Sequence, residues 1–464
     1  MARPAHRLTL AALALVATAG VGVTALPATT ATSRSANDGG ADSPSRAAAV
    51  QDRLPQAARV SGVRAAGGAA ESASMSATEF AARSASGSAR ESDKPPASSQ
   101  HLVGTWSASS DRIVAAVGGQ TIRMVVRTSI GGAGMRLRLS NVFGTSAVTF
   151  GSVHLGVQAY GAEILTGTNR PVTFNGRRTV TVGARRAAWS DPIAGRISGG
   201  ANVVVSFHVP ASVPSVTGHE RAYATTFLSA PGNHAADEAG DSFTYTSTQW
   251  YFLDRIAVSA PATVRSVVAF GDSITDGAGQ NTDANRRWTD YLRHRVARLG
   301  ASKRMGIINA GIAGNRLLYS NVGPSGLSRF ERDALSQPGV RTVIVYEGIN
   351  DISRGEYTSA VPLINAYKRL IRLAHARKVK VLGGTLTPFY GFGTWTPERE
   401  EIRQRVNAWI RGSRAFDAVI DFDRAVRDPE FHEQLAAAYD SGDHIHMSDA
   451  GRSRLASTVD LRRL

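Results

Sequence analysis

Two widely separated segments carry residue types that could act together on a carbonyl group. Gly271-Asp272-Ser273-Ile274-Thr275-Asp276-Gly277 follows the apolar run Val267-Val268-Ala269-Phe270. Ser273 therefore falls at a strand end, near a helix start whose backbone N–H groups favour negative charge. Close to the C-terminus stands Asp440-Ser441-Gly442-Asp443-His444-Ile445-His446. A carboxylate three residues before a histidine can take one imidazole N–H while the other ring nitrogen faces a serine. Serine is a poor nucleophile until such a base removes its proton, so Ser273, His446 and Asp443 together read as nucleophilic acyl chemistry. That base works only while its imidazole is neutral, and activity is expected to fall on acidification.

Gly-Asp-Ser alone is weak evidence, because Gly240-Asp241-Ser242 repeats it with no buried strand before it. The second copy reads as a loop. The competing chemistry is a metal site built from His444, His446 and the neighbouring aspartates. Neither His219-Glu220 nor His432-Glu433 is followed by the second histidine of a zinc-binding H-E-x-x-H helix. Two further segments could bring neutral donors. Glycines in Asn309-Ala310-Gly311-Ile312-Ala313-Gly314-Asn315 let backbone N–H groups approach a ligand, and Asn350 in Glu347-Gly348-Ile349-Asn350-Asp351 offers a side-chain amide. Each is also compatible with an ordinary turn.

Apolar runs at Val264–Phe270, Gly306–Asn309, Thr342–Tyr346, Val379–Leu382 and Ala418–Phe422 alternate with helical stretches such as Trp288–Leu299 and Tyr357–Ala376. Continuously apolar strands joined by helices predict a parallel sheet covered on both faces, with chemistry in the loops at the strands' carboxyl ends. Before it, from about 101 to 258, the period is two. Met135–Ser140 and Val153–Val157 alternate, while Thr121–Ile130, Val172–Val182 and Ala201–Val209 also read as strands, giving an all-β, sandwich-like portion. From 32 to 100 the chain is rich in Ala, Ser, Gly and Arg, which reads as a disordered spacer. Residues 1–31 have a basic start, an apolar run from Leu8 to about Val23 and then small residues, the pattern of a secretory signal peptide. The apolar run is shorter than the roughly 20 residues of a spanning helix, so no stable membrane anchor is expected.

Taken in order, the blocks Gly271-Asp272-Ser273-Ile274, Gly314, Gly348-Ile349-Asn350-Asp351 and Asp443–His446 resemble those of the SGNH hydrolases, also called GDSL esterases and lipases. The resemblance spans roughly Val264 to the end. It implies a flavodoxin-like, three-layer α/β/α fold with a five-stranded parallel sheet over 262–464. It also implies Ser273 as nucleophile, His446 as base, Asp443 as its partner, and an oxyanion hole from the N–H groups of Ser273 and Gly314 and the Asn350 amide. Met447-Ser448 stands where the family often has Pro-Asn, and Ile274 is the fourth residue of the serine block. Neither departure removes a functional group. The β-rich portion resembles the N-terminal part of secreted actinobacterial esterases of this family.

No cofactor is implied. Phe389, Tyr390 and Trp395, after the fourth apolar run, suit a wall for an acyl, aryl or sugar group, or simply packing against a helix. The formal net charge is +16, yet the positives are nearly all scattered arginines, so nucleic acid is not an expected partner. With no cysteine there is no disulfide, thiol nucleophile or lipidated anchor. The expected partner is an ester: a small molecule, lipid or acylated polysaccharide. Two other functions compete with a secreted serine esterase: a polysaccharide-binding protein with a vestigial hydrolase domain, and a metal-dependent hydrolase.

Overall fold

The computed structural model describes residues 100–113, 115–300, 303–354 and 358–464. The expected leader over 1–31 and, apart from Gln100, the expected spacer over 32–100 lie outside the described residues, as does Tyr357 at the start of one expected helix.

Two antiparallel sheets make up most of the first part. One holds, in spatial order, Gln100–Ser107, Leu253–Pro261, Gly132–Ser140 and Ile193–Ile197; the other is built around Thr226–Pro231, Gln120–Arg127, Asn202–Val209 and Ser152–Val157. Alternation explains how they meet. Ile122, Met124, Val126, Val203, Val205 and Phe207 from one sheet bury against Leu137, Leu139, Ile256 and Val258 from the other in a single apolar cluster. The expected strand Val172–Val182 is the main departure. Only Arg170–Pro171 and Val180–Val182 are strands, because Asn175 and Gly176 both take positive φ and fold the chain into a tight turn, bridged by Phe174 and Arg177.

The second part is a parallel sheet whose strands are Arg265–Gly271, Met305–Gly311, Val340–Tyr346, Lys380–Gly384 and Ala418–Ile420, here called first to fifth. Their spatial order is second, first, third, fourth, fifth. Side chains alternate between two clusters, as a sheet buried on both faces requires. Val268, Phe270, Val343 and Val345 pack with helices Val361–His375 and Pro397–Gly412, while Val267, Ala269, Ile344 and Leu382 pack with Trp288–Ala297 and Asp449–Thr458. This is the expected three-layer α/β/α arrangement. The first strand lies at the switch point where connections leave in opposite directions, the usual place for a ligand crevice in such sheets.

The antiparallel part is distinct in its strands but not detached. Gly104 N–H donates to Ser266 Oγ at 3.0 Å and to Pro338 O at 2.9 Å, and Ser107 Oγ donates to Asn309 O at 3.1 Å. Contact there is close enough to demand glycine: a Cβ on Gly306 would stand 2.0 Å from the Gly104 carbonyl oxygen. Among the described residues, no helix is long and apolar enough to cross a membrane.

Candidate active site

The site is assembled at the carboxyl ends of three adjacent strands. The first strand runs into the short helix Ser273–Asp276, whose N-cap Asp272 accepts the Ile274 N–H at 3.1 Å through Oδ1. No side chain fits at Gly271, since a Cβ there would lie 2.3 Å from Tyr346 O. This close approach sets the turn that delivers Ser273. Its Oγ lies 2.8 Å from His446 Nε2, and His446 Nδ1 lies 2.5 Å from Asp443 Oδ2. The other Asp443 oxygen accepts from His446 N at 2.9 Å, Ile445 N at 3.2 Å and Ser441 Oγ at 3.0 Å, so the carboxylate is fixed by its own loop. Partial burial would raise the Asp443 carboxyl, but the hydrogen bonds from the His446 ring and backbone outweigh it and hold it well below the usual carboxylate range.

His444 faces elsewhere: its Nδ1 is 2.7 Å from Asp440 Oδ2. The two histidines of the loop thus have separate carboxylate partners. Among the described residues, no group of three or more His, Asp or Glu side chains is placed to hold a metal ion. Gly240-Asp241-Ser242 lies in a loop, far in kind from the strand-to-helix turn at Ser273.

The glycine loop after the second strand is laced to its neighbours. Ile312 N–H donates to Gly271 O at 3.1 Å, Ala313 N–H to Asp276 Oδ2 at 2.8 Å, and the Asn350 amide nitrogen to Asn315 O at 3.0 Å. Gly314 sits between these ties. One Asn350 hydrogen is engaged by Asn315, which orients the amide and leaves its second hydrogen as a donor. Asp351 accepts the Leu317 and Leu318 N–H groups at 2.7 and 3.0 Å.

Beneath this loop lies Arg329, wholly buried. Its guanidinium donates to Asn315 Oδ1 at 2.8 Å, Ala310 O at 2.8 Å, Gly271 O at 2.8 Å and Glu347 Oε2 at 3.3 Å, joining the ends of the first three strands. Nothing in the local sequence around Arg329 marks this role, since its partners lie in other segments. The tie of Asp276 to Ala313 is likewise unmarked in the sequence; Asp351 is visible only as the last letter of the Gly-x-Asn-Asp block.

The three expected wall residues divide. Phe389 is corrected to a core residue: it is 0% exposed within the cluster under helices Val361–His375 and Pro397–Gly412, so its ring has no free face for a ligand. Trp395 packs partly buried against the same cluster, whereas Tyr390 is 38% exposed and meets Trp395 and Phe431 edge-on at 4.8 and 4.6 Å. Their loop abuts the histidine loop, as a Cβ on Gly391 would come within 2.9 Å of the His444 ring.

Burial shifts the acids behind the nucleophile. It pushes the Asp272 carboxyl up to about 8, helped by the Glu347 charge. Glu347 is raised by burial to about 7 against the pull of Arg329, and Asp351 by burial to about 6 against its backbone donors. For Asp272 the sign is clear. The folded chain keeps a proton that the unfolded chain releases above about pH 4, so stability is lost as pH rises from there to about 8 and levels off beyond. Asp272→Asn keeps an oxygen acceptor for Ile274 and removes the titration. Its melting temperature is expected to match the wild type near pH 4 and exceed it increasingly up to about pH 8. A gap that does not change with pH would show that Asp272 does not titrate in this window.

Residues 269–454 match the model of the GDSL-like lipase/acylhydrolase family. Similar solved structures include a member of the lipolytic protein G-D-S-L family from Veillonella parvula DSM 2008, at 19% identity, covering 42% of this chain and 95% of that one, with a TM-score of 0.33. The lipase/acylhydrolase from Enterococcus faecalis is 21% identical over 43% of this chain and 94% of its own, with a TM-score of 0.34. The M. smegmatis aryl esterase is 18% identical over 42% of this chain and 95% of its own, with a TM-score of 0.33. No curated protein matches. Residues 269–454 are a GDSL-like lipase/acylhydrolase domain, and the activity that belongs to it is carboxylic ester hydrolysis.

Proposed function

We propose that the protein is a secreted serine esterase that works through an acyl-enzyme. The observation that carries this reading is the unbroken chain Ser273 Oγ to His446 Nε2 at 2.8 Å and His446 Nδ1 to Asp443 Oδ2 at 2.5 Å. In it, His446 takes the hydroxyl proton as Oγ attacks the ester carbonyl, and Asp443 fixes the ring and stabilises the imidazolium. The negative charge on the former carbonyl oxygen is met by the N–H groups of Ser273 and Gly314 and the Asn350 amide. His446 then gives its proton to the leaving alcohol. Water, deprotonated by the same histidine, releases the acid and restores Ser273.

Hydrolysis of a short p-nitrophenyl ester, run with and without a chelator, tests this reading. Turnover should persist in the chelator, and an organophosphorus reagent should stop it while adding its mass to the peptide containing Ser273. Loss of turnover on chelation would turn the assignment toward a metal-dependent hydrolase. Absence of turnover across acyl lengths and acetylated xylan would leave a binding protein instead. Export is proposed from the first 31 residues; a mature N-terminus beginning beyond that leader is the expected result.

A further inference from the structure

A side chain from the antiparallel part stands directly behind the proposed oxyanion loop. His219 ends the strand Val216–His219 and is 3% exposed. Both its ring nitrogens face oxygen acceptors: Nδ1 lies 2.9 Å from the Ser109 carbonyl and Nε2 lies 2.9 Å from Asp276 Oδ1. A carbonyl only accepts, so Nδ1 carries a hydrogen, and a second hydrogen on Nε2, as in the protonated ring, is donated to Asp276 Oδ1. Burial opposes that charged ring, but the Asp276 charge and the hydrogen bonds to Asp276 and Ser109 outweigh it, and the His219 pKa is raised.

Asp276 passes the restraint on. Its other oxygen accepts the Ala313 N–H at 2.8 Å, and Ala313 immediately precedes Gly314. Asp276 also closes the short helix that Ser273 opens, so one carboxylate touches both the nucleophile's helix and the glycine loop. Arg287 braces the same point, its Nε donating to Asp276 O at 2.9 Å and its terminal nitrogen to Ala222 O at 2.6 Å in the antiparallel part. Ser109 is shared in turn, since its Oγ accepts from Arg329 at 3.3 Å.

We propose that His219 is a positioning residue of the ester-hydrolysing centre, holding the Asp276 carboxylate so that Ala313 and Gly314 present the Gly314 N–H to the oxyanion. The inference rests on the serine-esterase reading of Ser273 and Gly314. By it, the antiparallel part is a working piece of the site, contributing a side chain 54 residues before the nucleophile in sequence (273 − 219). Without His219 the buried Asp276 side chain loses the partner of its Oδ1 and is free to turn, and it then holds the Ala313 N–H less well.

The test compares the full-length wild type with His219→Leu and His219→Gln. Gln places an amide nitrogen near the position of Nε2 and can still donate to Asp276; Leu fills the space without a donor. With p-nitrophenyl acetate, His219→Leu should lower kcat by about 10- to 100-fold and change KM by no more than about twofold, because a misplaced oxyanion donor is felt mainly in the transition state. His219→Gln should recover kcat to within about fivefold of wild type. Rates are expressed per folded molecule, counted by organophosphorus labelling of Ser273 and checked by melting temperature. A folded Leu variant with wild-type kcat, equal losses in Leu and Gln, or a loss carried by KM would each overturn the proposal. If the Leu variant does not fold, His219→Asn replaces it, because its shorter amide reaches Ser109 O but not Asp276. Asn impaired and Gln active is then the supporting result, and equal activities overturn it. A wild type without Ser273-dependent hydrolysis would instead bring down the esterase reading, and this inference with it.

Discussion

Ser273→Ala is expected to lower kcat by about 10⁵- to 10⁶-fold on a short p-nitrophenyl ester while changing stability by no more than about 1 kcal/mol. The split follows from the geometry. The hydroxyl's hydrogen bond is to His446 Nε2, so its removal deletes the attacking atom and one bond at the mouth of the site. The backbone N–H of residue 273, the Gly314 N–H and the Asn350 amide are untouched, so the residual rate over water should be that of a site that still binds the substrate and polarises its carbonyl. His446→Ala should fall nearly as far, and combining the two should cost little more, since the pair acts as a unit. Retention of more than about 1% of wild-type turnover by Ser273→Ala, against the loss expected for a nucleophile, would place the chemistry on another residue.

Asn350→Ala should lower kcat by about 100- to 1,000-fold, equivalent to roughly 3–4 kcal/mol of transition-state stabilisation, with little change in KM. The hydrogen bond to Asn315 O sharpens this expectation. An amide already tied at 3.0 Å to the residue after Gly314 needs no reorientation when charge develops on the substrate. The same bond provides the bland alternative, in which Asn350 only joins the loops that follow the second and third strands. Pairing kcat with melting temperature separates them: a merely connecting residue would cost stability and reduce activity only in proportion to folded protein. A folded Asn350→Ala enzyme with near-normal kcat would remove the amide from the oxyanion hole.

Much of the α/β part was legible because each of its signals is local. The apolar run at Val264–Phe270 marks the first strand, found at Arg265–Gly271, and the helix read from Trp288 is found at Trp288–Ala297. The Asp443–His446 spacing was equally readable, since a carboxylate three residues from a histidine meets it within one loop. What the sequence hid is non-local. His219 meets Asp276 across 57 positions and Arg329 meets Ser109 across 220, and no periodicity or motif links such pairs. Val172–Val182 failed for the opposite reason: its β-branched residues favour a strand, but Asn175-Gly176 imposes a local turn that overrides them. Phe389 misled because aromatic residues suit a core and a binding wall equally, and burial decides between them.

The glycine-to-glycine contact between Gly104 and Gly306 also bears on how the chain reaches its native state. The strand holding Gly104 pairs with Leu253–Pro261, with Gln100 opposite Pro261, and Gly104 then bonds Pro338. As the chain emerges from its N-terminal end, that strand is complete 146 residues before its partner begins (253 − 107), and longer still before the parallel sheet it rests upon. Contacts of such sequence separation are slow to form, because loop closure must precede any packing gain. Throughout that interval Gln100–Ser107 and Gly132–Ser140 lack the strand that lies between them and joins them. Chains arrested before about residue 253 would leave Gln100–Ser107 without a partner strand and one edge of Gly132–Ser140 open, and their expected fate is pairing with one another rather than folding alone.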